Sequence, residues 1–181
     1  MTEGAPANTP AGSHGELIEP ATLKIQRLLP GPIERVWAYL TESDLRRLWL
    51  AAGEMTLEAG APFSFTWRND DLTDPPGERP EGSSVDHTMQ SEIVEAAPPH
   101  RLVFTWENSG EVSIDLEPRG ERVLLTLIHR RLPDRGHLVG VSSGWHLHLD
   151  ILGARLTGSE PETFWDAWRR IRQDYEGRIP E

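Results

Sequence analysis

Two histidines hold the positions in this 181-residue chain at which side chains could do chemistry. His129 follows Leu125 and Leu127 at alternate positions, so on a strand its ring faces the same side as these leucines. His148 lies three residues after Trp145, at the edge of an apolar helix face. Because imidazole titrates near neutral pH, two such rings in one cavity could contact a ligand or act as an acid and a base. Both positions also suit ordinary buried histidines, so they are candidates only.

A metal centre or other cofactor is not expected. His146 and His148 are two residues apart, so on a helix their side chains point roughly 200° apart and cannot share an ion. We expect His146 to pair with Asp150 one turn later, on the solvent face. The absence of cysteine excludes disulfides, a thiolate zinc site and a cysteine nucleophile. The motifs of serine hydrolases, zinc proteases and nucleotide-binding proteins are also missing from the sequence.

Two apolar faces must position the candidate histidines. After the Pro98–Pro99 turn, apolar residues recur at every second position from Leu102 to Trp106, which is typical of a strand with one buried face. A stripe that begins at Trp145 and ends at Leu156 has spacings of four, three and four residues, as one face of a helix does. We expect the strand and the helix to bury these faces against each other.

The periodicity of the rest of the chain predicts an α+β domain built on an antiparallel meander. In chain order we predict a strand from residue 21, short helices from residues 32 and 43, strands at 55–57, 63–67, 87–95, 101–107, 111–117 and 122–130, a helix ending at Gly158, and a last helix after Pro161. The polar segment 69–86 is rich in proline and glycine, and it is predicted to be a mobile flap beside the cavity between sheet and helix.

We divide the chain into three parts. Residues 1–20 are rich in Gly, Ala, Pro and Thr, a composition that predicts a disordered tail. Residues 21–158 form the domain, and residues 159–181 form a C-terminal helical extension. The extension has an apolar stripe at positions 164, 168, 171 and 175. This stripe must pack either on the domain or on a second copy of the chain, so a homodimer is one of two alternatives.

The charge and the N-terminus restrict the partners and the location. A formal net charge of −11 argues against nucleic acid, because binding the phosphate backbone requires clustered Lys and Arg. The N-terminus contains acidic residues and no apolar run of signal-peptide length, and no stretch of the sequence is long enough to span a membrane. We therefore expect a soluble cytoplasmic protein without a membrane partner.

Five short motifs occur in a fixed order along the chain. They are the helix pattern PIERVWAYLT at 32–41, Leu48-Trp49, the turn and strand PPHRLVFTWE at 98–107, the strand at 124–129, and Gly144-Trp145 with the stripe that follows. Together they resemble the family named for the activator of the heat-shock protein 90 ATPase, within the START-like, helix-grip superfamily that is also called SRPBCC. The resemblance covers residues 21–158. It implies a helix-grip fold, in which a curved antiparallel sheet wraps around a long C-terminal helix, with two short helices after the first strand.

The helix-grip resemblance also implies a cavity between sheet and helix that holds apolar ligands. Both predicted walls are aromatic, although the same side chains could fill a core without any ligand. The predicted ligand-binding residues are Trp49, Phe63, Phe65, Trp67, Phe104, Trp106, Ile114, Leu127, His129, Trp145, His148, Leu149 and Leu152.

We therefore expect the protein to bind a small apolar or aromatic molecule. The alternative is an enzyme of polyketide cyclase or aromatase type, a chemistry that the superfamily supports, in which His129 or His148 moves protons. A chaperone-associated regulator, which the family name suggests, is less favoured. The residues before Ala21 leave no room for the additional N-terminal domain of the eukaryotic activators.

Overall fold

A computed structural model describes residues 13–19, 21–107 and 109–181 of the chain. Its strands are Glu16–Glu19 (β1), Thr22–Pro30 (β2), Pro62–Trp67 (β3), His87–Ala97 (β4), Arg101–Trp106 (β5), Gly110–Arg119 (β6) and Arg122–Arg130 (β7). Its helices are Ile33–Thr41 (α1), Ser43–Arg46 (α2), Arg135–Thr157 (α3) and Phe164–Arg178 (α4), and a 3-10 turn covers Asn69–Asp71. The strands form one antiparallel sheet in the order β1-β2-β7-β6-β5-β4-β3.

The predicted meander is confirmed from β4 to β7, where each strand pairs with the next along the chain. Leu102 lies opposite Ile114, and Ile114 lies opposite Leu127. All three side chains are at most 2% exposed, so one face of the sheet is a continuous apolar layer. This is the α+β helix-grip fold that the sequence predicts.

Helix α3 packs on this apolar layer and is covered from the other side by α4. It ends, as predicted, at Gly158, whose φ of 72° is the left-handed conformation that favours glycine at a helix C-terminus. Trp145 contacts the sheet through the ring of Trp106, and His146 contacts α4 through the ring of Tyr175. Helix α3 is therefore enclosed, and its polar side chains must find their partners inside the protein.

The C-terminal extension packs on its own domain. Phe164, Ile171 and Tyr175 of its apolar stripe are each 1% exposed, and Trp168 is partly buried against the same core. The stripe is thus covered by α3 and its neighbours, so its burial requires no second copy of the chain.

Strand β1 forms inside the segment predicted to be a tail, where it pairs with β2. The backbone just before it is tied to distant elements: Gly15 donates its N–H to the Tyr175 hydroxyl at 2.7 Å, and Arg27 donates to the Ser13 carbonyl at 2.6 Å. Local composition does not reveal these bonds, because the side chains that make them come from β2 and α4. The predicted tail over residues 1–12 lies outside the described residues.

The predicted strand at 55–57 is wrong. Residues 53–57 connect α2 to β3 without forming a strand. The physical reason lies in Arg46, whose guanidinium binds the carbonyl groups of Ala51 and Gly53 and holds this part of the chain against the end of α1.

Segment 69–86 is only partly the flap that its composition predicts. Trp165 of α4 donates its backbone N–H to the Pro76 carbonyl at 2.9 Å and its indole N–H to Asp70 at 2.7 Å. Leu72 is 2% exposed. The small number of apolar side chains in the segment predicts mobility, but it gives no sign of these hydrogen bonds to α4. Mobility stays a prediction for residues 81–86, all of which are exposed.

Arg46 is a buried charge that joins α1 to the chain after α2. It is 1% exposed, and it donates to the carbonyls of Leu40 and Thr41, both at 3.2 Å, as well as to those of Ala51 and Gly53. The first two carbonyls lie at the C-terminus of α1, where backbone acceptors lack helical partners and the helix dipole favours a cation. Burial lowers the pKa of Arg46 to about 10, so the side chain remains charged at neutral pH.

Removing this guanidinium should weaken the fold strongly. In Arg46→Ala, four carbonyl groups lose their donor, so we expect the free energy of unfolding to fall by about 3 kcal/mol or more in urea denaturation. Arg47→Ala is the matched control, because the side chain of Arg47 is 58% exposed. Its effect should stay within about 0.5 kcal/mol. Equal effects of the two substitutions would contradict the structural role of Arg46.

Candidate functional site

A cavity of about 250 Å³ lies between α3 and strands β3 to β5. Most of its wall is apolar, and a few polar side chains interrupt it, which is the usual composition of a small-molecule site. The lining residues are Leu50, Trp67, Asn69, His87, Met89, Trp106, Glu107, Gly140, Val141, Gly144, Trp145 and His148.

Two glycines on α3 leave the space that the cavity occupies. Gly140, Gly144 and His148 follow at intervals of four residues, so they lie on one face of the helix. A Cβ atom placed on Gly144 would meet no atom within 4 Å. Glycine costs stability in a helix interior, and here its missing side chain leaves the space between this face of α3 and the sheet unfilled.

Three tryptophans form the aromatic part of the wall. The ring centroids of Trp67 and Trp106 are 5.7 Å apart, and those of Trp106 and Trp145 are 5.5 Å apart. The rings meet at interplanar angles of 67° and 51°, which are favourable for aromatic pairs. Rigid rings at such angles do not interdigitate fully, so open space remains beside them.

His148 is the most buried polar group of the wall. It is 7% exposed, and its Nδ1 lies 2.8 Å from the carbonyl oxygen of Trp49. A carbonyl only accepts, so Nδ1 carries the proton and Nε2 carries a lone pair. Burial lowers the pKa of His148 to about 4, although the hydrogen bond to Trp49 acts in the opposite direction. At neutral pH His148 is therefore an uncharged acceptor at the cavity wall.

His129 has the opposite tautomer and lies behind the wall. Its Nδ1 accepts the indole N–H of Trp145 at 3.1 Å, so its proton is on Nε2, which is buried and has no hydrogen-bond partner among the described residues. The ring also packs on Trp106, with centroids 5.0 Å apart. Burial lowers the pKa of His129 to about 3. The two candidate histidines therefore do not form an acid and base pair in the cavity, because only His148 lines it.

The mouth of the cavity is polar. His87 stacks on Trp67 with centroids 5.6 Å apart, and its Nε2 lies 3.5 Å from a carboxylate oxygen of Glu107. The side chains of His87 and Glu107 are 62% and 48% exposed. Asn69 contributes a buried carbonyl oxygen, Oδ1, that has no hydrogen-bond partner among the described residues.

Four of the predicted ligand-binding residues line the cavity: Trp67, Trp106, Trp145 and His148. The others lie in the surrounding core and do not line it: Trp49, Phe63, Phe65, Phe104, Ile114, Leu127, His129, Leu149 and Leu152. The phenylalanines among them pack ring against ring, with centroid distances of 5.0 to 5.9 Å. Sequence reasoning treated the whole interface between sheet and helix as cavity, whereas interdigitation fills most of it.

Sequence reasoning missed eight lining residues: Leu50, Asn69, His87, Met89, Glu107, Gly140, Val141 and Gly144. One signal could have found part of this set. The spacing from Gly140 through Gly144 to His148 marks a helix face that lacks bulk and carries a polar group. The loop residues gave no comparable signal, since tertiary structure alone brings them to the cavity.

His146 pairs with Asp150 as predicted, at 3.3 Å, but it is not on the solvent face. Its side chain is 3% exposed, because α4 covers it and the Tyr175 hydroxyl lies 2.9 Å from Nδ1. Arg27 binds the same carboxylate at 3.0 Å. Burial opposes ionisation of Asp150, but the hydrogen bond from His146 and the charge of Arg27 outweigh it and keep the pKa of this carboxyl below its usual value. The group joins β2 of the sheet to α3 and α4.

Neither a metal-binding cluster nor a membrane-spanning helix is found in the described ranges, 13–19, 21–107 and 109–181. No group of three or more acidic or histidine side chains there is arranged to hold a metal ion. None of the helices in these ranges combines the length and the apolar character that crossing a bilayer requires.

The chain belongs to the family described as Activator of Hsp90 ATPase homolog 1-like protein, whose model matches residues 30–157. The resemblance found in the sequence motifs is thereby confirmed. A comparison with curated proteins found no match.

Solved structures agree with this assignment. The protein encoded by BPP1335 from Bordetella parapertussis is 35% identical over 100% of this chain and 97% of that chain, with a TM-score of 0.78. CalU16 from Micromonospora echinospora is 21% identical over 88% of this chain and 89% of that chain, with a TM-score of 0.65. DynU16, from the dynemicin biosynthetic locus, is 17% identical over 78% of this chain and 49% of that chain, with a TM-score of 0.62. At these lower identities CalU16 and DynU16 share the fold.

The two buried histidines should make stability depend on pH. Burial lowers the pKa from an ordinary value of 6.5 to about 3 for His129 and about 4 for His148. The unfolded chain therefore binds more protons, and stability that is fully present above pH 6.5 is lost as the pH falls toward 4. Between about pH 7.5 and 5.0, each histidine should lower the free energy of unfolding by roughly 2 kcal/mol in urea denaturation.

Two variants test this assignment. His148→Gln removes one titrating group and can still donate to the Trp49 carbonyl, so its stability should fall by roughly 2 kcal/mol less than that of the wild type over the same interval. His100→Gln, at an exposed position, is the control and should keep the wild-type dependence. An unchanged pH dependence in His148→Gln would show that His148 is not held neutral.

Proposed function

We propose that the protein binds a small apolar or aromatic molecule in the cavity between the sheet and α3. The observation that carries the proposal is the open space over Gly144, walled by Trp67, Trp106 and Trp145. An engineered protein cavity of about 150 Å³ takes up benzene. The cavity here measures about 250 Å³ and is open at its mouth, where the side chains of His87 and Glu107 are exposed, so it can admit an aromatic molecule larger than benzene.

The relatives support a small-molecule ligand. DynU16 comes from the dynemicin biosynthetic locus, and CalU16 has a similar fold. A ligand from small-molecule metabolism agrees with that setting. It also agrees with the wall of this cavity, where rigid rings supply apolar contact area and a few polar groups orient the bound molecule.

Binding without catalysis accounts best for the state of His148. A general base works best when its pKa is near the operating pH. The pKa of His148 is about 4, so its neutral ring has little driving force to take a proton at pH 7. His129 does not line the cavity and cannot complete a pair with it. Recognition by hydrogen bonding requires only the lone pair that His148 offers.

The binding proposal predicts that filling the cavity abolishes binding. In Gly144→Leu the new side chain enters the open space, so the affinity for Nile red, measured by its fluorescence, should fall by at least about tenfold. Leucine is a better helix former than glycine, so α3 should keep its structure.

Gly177→Leu is the matched control for this experiment. Gly177 is an exposed residue of α4, a Cβ atom there also meets nothing within 4 Å, and it does not line the cavity. Its affinity for Nile red should equal that of the wild type. Equal binding by Gly144→Leu and the wild type would place the dye elsewhere and refute the proposal.

An enzyme of polyketide cyclase type is the second candidate, and one observation favours it: the lone pair of His148 lies at the wall of an aromatic cavity. If His148 moves a proton, His148→Gln should lower the turnover of a linear polyketide-type substrate by about 100-fold or more while the fold is retained. Under the binding proposal no turnover is found in the wild type, and the variant changes affinity alone.

A further inference from the structure

The polar groups of the cavity have a common character. Two of its side chains present hydrogen-bond acceptors: His148 at the buried end and Glu107 at the mouth. The partners of each group inside the protein decide which atoms remain for a ligand.

At the buried end the acceptor is Nε2 of His148. Its other ring nitrogen is committed to the Trp49 carbonyl at 2.8 Å, and that bond fixes the orientation of the ring as well as its tautomer. A largely apolar wall offers this lone pair few other partners, so it gains most from a ligand that brings a donor.

The donors of the wall are few and uncharged. The indole N–H of Trp145 is already committed to His129 at 3.1 Å. Among the described residues the lining contains no lysine or arginine, and it contains the carboxylate of Glu107. A ligand carboxylate would therefore enter an apolar cavity without a cation to pair with, at a high desolvation cost. A hydroxyl group is uncharged, so its desolvation costs less, and a hydrogen bond to an acceptor offsets that cost.

We propose, on the basis of the binding function above, that this cavity selects aromatic molecules that carry a hydroxyl donor over their ethers and carboxylates. The hydroxyl donates to Nε2 of His148, while the ring lies among the three tryptophans.

Four naphthalene probes test this selectivity in the full-length protein at about pH 8.0, where an ordinary histidine is uncharged. The probes are 2-naphthol, 2-methoxynaphthalene, naphthalene and 2-naphthoate, each titrated as a competitor of bound Nile red. We expect 2-naphthol to bind on the order of tenfold more tightly than 2-methoxynaphthalene, because the ether has the same shape but lacks the donor. We expect 2-naphthoate to bind most weakly.

Two variants assign the acceptor. His148→Phe keeps a ring of similar size and removes the lone pair, so the preference for 2-naphthol over the ether should fall to about twofold or less while naphthalene still binds. The substitution also leaves the Trp49 carbonyl unpaired, so its fold is checked by urea denaturation. Asn69→Leu is the control, because Oδ1 of Asn69 is buried and closed to the cavity, so the preference should stay at the wild-type value.

The outcomes separate this inference from the binding proposal. If the neutral probes all bind equally, the cavity binds apolar molecules but does not select donors, and this inference is overturned alone. Tightest binding by 2-naphthoate would overturn it as well. If no probe displaces Nile red, both proposals fail. A preference for 2-naphthol that persists unchanged in His148→Phe would refute the assigned acceptor.

Discussion

The enclosure of α3 between the sheet and α4 is the constraint on which the rest of the structure depends. The polar side chains in the buried middle of this helix cannot reach water, so they need partners inside the protein. The Ser142 hydroxyl is an exception, because it is buried and has no hydrogen-bond partner among the described residues. Ser143 donates to the Val139 carbonyl at 2.6 Å, and His146 lies between Tyr175 and Asp150. These bonds fix the rotation of α3 about its own axis. They therefore decide which of its faces meets the cavity.

The same constraint sets the chemistry of the two candidate histidines. His129 must accept from Trp145, whereas His148 must donate to the Trp49 carbonyl, so the two rings are opposite tautomers although both are buried and neutral. The imidazole of His129 thus supports the aromatic wall from behind. The imidazole of His148 lies in the wall and presents an acceptor. The environment of each ring makes this difference, and the residue type alone does not.

Much of the fold could be predicted from sequence, because it depends on local periodicity. The alternation from Leu102 to Trp106 and the end of α3 at Gly158 are both found in the structure. The buried guanidinium of Arg46 and the tethers of residues 13–15 were not predictable, since their partners are backbone groups or distant side chains. The location of the cavity was predicted only in part. Aromatic residues mark both a filled core and a cavity wall, and only three-dimensional packing separates the two.

The division of the aromatic residues between core and wall explains how one interface can be both stable and open. Phe63, Phe65 and Phe104 pack ring against ring in the core. There they bury enough apolar surface to support the sheet. Beside Gly144, among the described residues, the space next to the tryptophans is unfilled, and the cavity lies there. Helix stability alone would favour alanine at Gly144, because the Cβ position there is unobstructed. No contact in the described packing offsets the stability lost at this glycine. A ligand in the open space would supply such contacts.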